Sequence, residues 1–406
     1  MLQRFQITKL FNLYSYDLNL SNGADDDIRF VMGPNGYGKT TILRFINAIY
    51  HKDLSVLVDK NNPFEKLIMT IDGAVLTIER VVKVAETQED DGDEGQETKV
   101  TLHCTFVTPE KDEEFDVASE HASNSAHMGL NFQLFFGSHR CYFIDDQRLA
   151  LANTMVIDDE VYIKTDESSS PIMERSRKFA SQLKKNTVSP AVQLGKDYAL
   201  PEDEYYARCR VLNEKIARLK KYKLVGDVVL SADYQDQLQA YLTANLIRLE
   251  EAVNNVEPFL HRVEKYEEII KDFEFVDKDL VINPNPEDED AQTRSGFRFV
   301  LQDKDHTKLL NNRLSSGEKH LMVMFYDLLF EAATDDMLFL IDEPELSFHL
   351  AWQKEYMRIL KSVCELRKLQ CVSATHSTDV FDSDFEYTVD LCEAHEMNQT
   401  EQEDYA

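Results

Sequence analysis

The stretch "FVMGPNGYGKTTILRFINAIY", Phe30 to Tyr50, constrains this chain more than any other. Gly33-Pro-Asn-Gly-Tyr-Gly38-Lys39-Thr40 obeys GxxxxGK[ST], with an apolar run before it and Ile42, Phe45, Ile46 and Ile49 at helical spacing after it. That order is strand, glycine-rich loop, helix. Its glycines let the backbone N–H groups around Asn35, Gly36, Gly38 and Thr41 close on a phosphate, and the helix N-terminus favours the anion. Lys39 is placed to reach the β- and γ-oxygens of a nucleotide, and the Thr40 hydroxyl to ligate Mg²⁺.

Further acids and hydroxyls complete the chemistry. In "LFLIDEPE", Leu338 to Glu345, four apolar residues precede two acids, as in a buried strand that delivers carboxylates to its C-terminal edge. Asp342 is expected to hold Mg²⁺ and Glu343 to polarise an attacking water. "RLSSGEKH" sets Ser315, Ser316 and Gly317 at the start of a helix with Glu318 in its first turn, which is either a second anion site or a plain N-cap. "QCVSATHS" ends a strand with His376 poised to touch a γ-phosphate, and Gln147 in "CYFIDDQRLAL" would bridge Mg²⁺ and the attacking water.

Between these motifs the chain changes character. "RFQITKLFNLYSYDLNL" reads as two strands, and Asp72-Gly73 lies between two β-rich runs as a hairpin turn. The acidic "TQEDDGDEGQET", Thr87 to Thr98, reads as a solvated, poorly ordered loop. From about 173 to 273 the periodicity is helical: Leu238, Leu242, Leu246, Leu249, Val253, Val256, Leu260, Val263, Ile270 and Phe273 form a seam, with a kink expected at Pro258. Leu212, Ile216 and Leu219 predict a second helix packed against it as an antiparallel pair. The expected fold is α/β, with an antiparallel β subdomain and an inserted helical or coiled-coil arm. Its parts are 1–165 and 290–392 for the head, 170–280 for the arm and 393–406 for an acidic tail.

At 406 residues two or three compact units are expected. The 44 Lys+Arg against 74 Asp+Glu give −30, which disfavours a broad grip on nucleic acid. Six cysteines without CxxC or zinc spacing read as free thiols in a reducing compartment, and no run approaches the about 18–20 apolar residues that cross a bilayer. A cytoplasmic protein is expected.

"GPNGYGKTT", "FIDDQR", "LSSGEK", "FLIDEPELSFH" and "SATHS", in this order, resemble the ABC-type ATPase head of SMC-like, RecF-like and OLD-like proteins. The resemblance makes Lys39 and Thr40 the Walker A residues, Gln147 the Q-loop, Leu314 to Glu318 the signature, Asp342 and Glu343 Walker B, His376 the switch histidine and Ser347 to His349 the D-loop. It implies ATP with Mg²⁺, sandwiched between the phosphate loop of one copy and the signature of another, hence a homodimer or higher homo-oligomer. In "NLYSYDLNL", "LSSGEKHLMVMFYDLLF", "IDEPELSFHLAWQ" and "ATHSTDVFDSDFEYTVDL" the chain is similar to ATPase subunits of bacterial anti-phage defence, the PARIS subunit AriA and next the Septu subunit PtuA. That likeness implies a separate nuclease or toxin effector, TOPRIM/DUF4435-type and AriB-like in PARIS, released when a phage protein is sensed. With 30 residues after His376, a C-terminal TOPRIM domain is not expected on this chain.

Two rival readings are open. A transporter head would need a membrane partner, and the arm is placed differently from that of a transporter. Direct DNA binding in repair or recombination would use local basic stretches: Arg175, Arg177, Lys178, Lys184 and Lys185, or Lys215, Arg218, Lys220, Lys221 and Lys223. Solvated faces of amphipathic helices account for the same charges.

Overall fold

A computed structural model describes residues 1–21, 28–88, 94–146, 154–157, 160–163, 170–188, 199–226, 228, 238–283, 296–303, 305, 307–309, 313–331, 337–381 and 384–395. The chain divides into two compact units, Met1–Arg148 with Glu331–Ala406, and Leu149–Phe330. The segment carrying Ser315 to Glu318 thus clusters with the helical region.

The first unit opens with β1 (Leu2–Leu10), β2 (Tyr14–Asn19), β3 (Ile28–Met32), α1 (Lys39–His51), the short α2 (Ser55–Val58) and β4 (Lys66–Ile71). There follow β5 (Ala74–Gln88), β6 (Glu94–Val107), β7 (Asp112–Ala118), α3 (Leu130–Ser138) and β8 (Cys141–Ile144). One sheet is antiparallel, in the order β2-β1-β4-β5-β6-β7. Its β4–β5 turn has φ 47° at Asp72 and 78° at Gly73, between the pair Ile71 and Ala74. Two consecutive positive φ values match the right-handed twist of the strands, as the Asp-Gly pair predicts. Within the acidic stretch, Thr87, Gln88 and Glu94–Thr98 depart from the expected loop. The β5–β6 ladder runs on through it to the pair Gln88–Glu94, leaving 89–93 outside the described residues. Backbone pairing with an established neighbour overrides composition here.

In the second unit come β9 (Thr154–Ile157), β10 (Glu160–Ile163), α4 (Pro171–Lys185), α5 (Glu202–Lys221) and α6 (Gln239–Asp272). After them lie β11 (Lys278–Ile282), β12 (Phe297–Leu301), β13 (Lys308–Leu309) and α7 (Ser316–Tyr326), which continues into a π-helical turn from Asp327. The α6 seam is buried at Leu242, Leu246, Leu249, Val253, Val256, Leu260, Val263 and Ile270, and α5 buries Leu212, Ile216 and Leu219. The helix runs on through Pro258.

The two helices run parallel, which overturns the antiparallel expectation. Arg208 Nε bonds Glu250 Oε1 at 3.0 Å, Lys215 Nζ bonds Glu257 at 2.6 Å, Arg218 Nε bonds Glu264 at 2.9 Å and Lys221 Nζ bonds Glu267 at 2.5 Å. Both partners climb together along the sequence, whereas an antiparallel pair would exchange them. Apolar spacing marks the buried face of a helix and is blind to its direction.

Phe179 of α4 packs in an aromatic cluster of this unit. Its ring centroid lies 4.7 Å from Phe330, 5.9 Å from Tyr326, 6.0 Å from Tyr266 and 6.2 Å from Phe297. A Cβ on Gly296 would come within 2.6 Å of the Ala180 nitrogen, so glycine admits the close approach.

The chain then returns to the first unit with β14 (Leu338–Asp342), α8 (Leu350–Arg367), β15 (Gln370–Thr375) and β16 (Thr388–Asp390). These strands join β3 and β8 in a parallel sheet, β16-β3-β15-β14-β8. Every residue of β14 and β15 is buried, as expected of strands covered on both faces. Helix α1 buries Ile42, Leu43, Phe45, Ile46 and Ile49. Among the described residues no helix is long and apolar enough to cross a membrane.

Candidate active site

Strand order builds the site. β3 leads into the phosphate loop and β14 ends at Asp342, but they are not neighbours; β15 lies between them and ends just before His376. Lys39, His376 and Glu343 therefore emerge side by side at the carboxyl edge, where parallel sheets bind ligands.

The loop itself turns on glycine. Gly36 has φ 85° and Gly38, the N-cap of α1, has φ 88°. A Cβ on Gly38 would also approach Leu10 Cδ2 to 2.7 Å, so conformation and space both exclude a side chain there. Lys39 is buried, and its Nζ donates to the carbonyls of Gly33 at 2.7 Å and Pro34 at 3.1 Å. Burial lowers the Lys39 pKa, while Glu343, Asp342 and Glu345 favour its charged form.

The same ammonium lies 3.1 Å from His376 Nδ1, and His376 Nε2 lies 3.1 Å from Glu343 Oε1. Since a lysine ammonium only donates, Nδ1 accepts and Nε2 carries the proton that Glu343 receives. Glu343 adopts a left-handed φ of 45°, and its N–H bonds the Ala374 carbonyl at 2.9 Å. A non-glycine residue in that region costs about 1–2 kcal/mol, strain of a kind that concentrates at functional sites.

Asp342 is buried to 1% exposure. Burial raises its pKa, opposed by a hydrogen bond from Thr40 and reinforced by Glu343 and Asp145. Asp145, just past β8, pairs with Arg44 of α1 at 3.5 Å. Thr40 and Asp342 together are hard oxygen donors at a point where acids crowd, which fits Mg²⁺. Among the described residues there is no cluster of three or more His, Cys, Asp or Glu that could hold a metal. A cation shared by one hydroxyl, one carboxylate and phosphate oxygens needs none.

Residues 9–380 match the family of the AAA ATPase domain. The chain belongs to this family. No curated protein matches this ATPase. Among solved structures it is similar to the Smc head domain with an extended coiled coil bound to the C-terminal domain of ScpA, from Pyrococcus furiosus, at 12% identity and TM-score 0.38 over 93% of this chain and 90% of that one. It is also similar to the SMC head domain from Thermotoga maritima, at 12% identity and TM-score 0.33 over 95% and 92% of the two chains.

The segment Leu314 to Glu318 belongs to the second unit of the ATPase. Ser315 and Ser316 are exposed at the N-terminus of α7, and Gly317 is buried. Ser315 Oγ accepts from Glu318 N at 3.3 Å and Glu318 Oε2 accepts from Ser315 N at 2.7 Å, a reciprocal capping box. Glu318 faces inward, 2.6 Å from Lys278 Nζ. Burial opposes its ionisation, yet the bonds from Lys278 and Ser315 hold its pKa below the usual value. Gln147 lies outside the described residues.

One site residue was not singled out from the sequence. Glu345 Oε1 accepts from Thr375 Oγ1 at 2.7 Å and from the His376 N–H at 2.9 Å. The third acid of "DEPE" was its only signal, and nothing in the pattern said what it would face.

Proposed function

We propose that this ATPase is the ATP-hydrolysing subunit of an anti-phage defence complex, a sensor and scaffold that holds a separate nuclease or toxin effector and releases it on infection. The line Lys39–His376–Glu343 beside Thr40–Asp342 carries the catalytic part of this reading. Lys39, with the backbone N–H groups of Asn35 to Thr41, binds the phosphates and balances their charge. Glu343, held at a fixed angle by its left-handed backbone and by His376, orients a water toward the γ-phosphate and receives its proton. Mg²⁺, held by Thr40 and Asp342 with Gln147 as a further ligand, would offset charge on the β- and γ-phosphates when bound.

A single chain carries one phosphate loop and one signature, so the active form proposed is a head-to-head homodimer with two ATPs. Ser315, Ser316 and Gly317 of the second copy would cap the γ-phosphate with an open helix N-terminus. Glu318, buried in its own cap, shapes that terminus without touching nucleotide. The defence assignment rests on the motif resemblance, and the cytoplasm is the compartment it implies.

Direct DNA binding is the alternative. Against it, Arg175 is bonded to buried Asp327, Lys178 to Glu174, Lys215 to Glu257, Arg218 to Glu264, Lys221 to Glu267 and Lys223 to the Asn283 carbonyl. Lys184 and Lys185 sit in the last turn of α4, where cations complement the negative end of the helix dipole. Purification from the native operon tests the proposal: a co-eluting nuclease that dissociates on phage infection supports it, and ATP-dependent DNA binding by the chain alone sinks the scaffold reading.

A further inference from the structure

We infer that Glu345 is a positioning residue for hydrolysis, fixing the turn that carries His376 so that the imidazole bridges Lys39 and Glu343; this rests on the ATPase reading above.

The β14–β15 ladder ends at the pair Asp342–Ala374, one bond beyond which the Glu343 N–H meets the Ala374 carbonyl. Past that point both chains leave the sheet. The segment after Glu343 folds into a tight strap, with Leu346 N bonded to Glu343 O at 3.1 Å, Phe348 N to Glu345 O at 2.8 Å and φ 69° at Ser347. The Glu345 side chain reaches from this strap across to β15. Its Oε1 accepts hydrogen bonds from the Thr375 hydroxyl and the His376 backbone N–H, the two groups immediately before the imidazole. Thr375 Oγ1 in turn accepts from Ser377 N at 3.0 Å, and Ser377 Oγ donates to Gln353 Oε1 at 2.6 Å. Gln353 Nε2 closes the circuit on the Phe348 carbonyl at 3.1 Å, back in the strap.

The circuit ties the residue that orients water to the residue that reads Lys39. His376 is one-third exposed, so neighbouring packing alone does not fix its ring. One carboxylate oxygen holding the backbone N–H of His376 does, because it sets where the side chain departs. The Glu345 charge also favours the ammonium form of Lys39, so it acts on both ends of the line.

The test compares Glu345→Ala, Glu345→Gln, His376→Ala and the double variant Glu345→Ala/His376→Ala in the full-length chain. Glu345→Gln keeps an acceptor oxygen at the same reach, whereas Glu345→Ala removes it. The expected result is a fall in kcat of about 10- to 100-fold for Glu345→Ala with KM for ATP within about 3-fold, of the size seen when a catalytic group is misplaced. Glu345→Gln should recover most of it, and the double variant should be no slower than His376→Ala within about 2-fold. Additive losses, or equal losses in the Ala and Gln variants, overturn the inference. Should Glu345→Ala not fold, Glu345→Asp, one methylene too short, takes its place.

Histidine ring nitrogen shifts in the nucleotide-free protein supply a readout independent of turnover. The His376 signals, assigned by loss in His376→Ala, should move in Glu345→Ala and stay in Glu345→Gln. Unmoved signals in Glu345→Ala overturn the positioning role even if ATP is hydrolysed. Absence of hydrolysis in the wild type, with the shifts behaving as expected, overturns the ATPase reading instead.

Discussion

His376 Nε2 meets Glu343 Oε1 at 3.1 Å across the ends of two adjacent parallel strands. The imidazole thereby holds a carboxylate that its own backbone keeps in a left-handed conformation, φ 45°. Replacing Glu343 by Gln preserves an acceptor for His376 but removes the carboxylate proposed as the base. The Glu343→Gln variant should bind ATP as the wild type does and release phosphate about 10²- to 10⁴-fold more slowly, the usual worth of a general base. Trapped dimer, seen by light scattering with ATP, is the companion signal. Wild-type turnover would mean that another group orients the water.

Lys39 presents a different expectation, because its ammonium is buried among three carboxylates and bonded to two loop carbonyls. Lys39→Ala removes the cation proposed to offset phosphate charge, and a preorganised donor of this kind is worth about 10²- to 10³-fold in rate. Nucleotide affinity, read by fluorescent ATP titration, should fall as well. Phosphate release at the wild-type rate contradicts the role given to this loop.

The glycine-rich turn between β3 and α1 and the acids that end β14 were legible in the sequence because their patterns are local: a glycine-rich turn opens a helix, and an apolar run ends in carboxylates. The type I′ turn at Asp72-Gly73 was legible for the same reason. What escaped depended on pairing between distant segments. The parallel run of α5 and α6 is decided by which charges meet, Arg218 with Glu264 and Lys221 with Glu267, and apolar spacing says nothing of that. The pairing of Thr87 and Gln88 with Glu94 and Gly95 escaped because acidic composition signals solvation and says nothing of backbone pairing. Arg175 read as part of a basic stretch that could touch DNA, yet its guanidinium lies 3.0 Å from a carboxylate oxygen of Asp327, which is 2% exposed.

The helix direction itself can be tested by exchanging charges. Arg218 pairs with Glu264, 46 residues on, and not with Glu250 near the start of α6. Arg218→Glu should lower the melting temperature, and adding Glu264→Arg should recover it, with a coupling of about 0.2–1 kcal/mol for a pair this open to solvent. Adding Glu250→Arg should not, since that change also breaks the Arg208–Glu250 pair. Recovery by Glu250→Arg in place of Glu264→Arg would show an antiparallel arm.

The N-cap of α7 separates folding from function within one segment. Ser315→Ala removes the acceptor for the Glu318 N–H and should cost about 1 kcal/mol of stability, while Ser315→Asp restores a cap. Ser316 is exposed and takes no part in the capping box. Ser316→Arg puts bulk and charge at this exposed helix end and should block ATP-induced dimerisation, if a second copy presents it to nucleotide. Normal dimerisation by Ser316→Arg would remove the composite site from the proposal.

Glu267 gives the pH dependence. Burial opposes its ionisation, but bonds from Lys221, Lys271 and Tyr222 outweigh it and hold the carboxyl at about 2, below its model-peptide value of 4.5. A depressed carboxylate pKa means that the unfolded chain binds the proton more readily, so stability rises with pH through the window between the two values. The contribution of Glu267 is complete above about 4.5 and is lost as pH falls toward about 2. Lys221 and Lys271 are more than half exposed, so solvent screening limits the effect to on the order of 1 kcal/mol. Urea melts of wild type and Glu267→Gln should differ at pH 6, and the gap should narrow steadily below pH about 4.5. A gap that stays constant from pH 6 to 3.5 would assign the loss to packing of the side chain, because packing does not titrate.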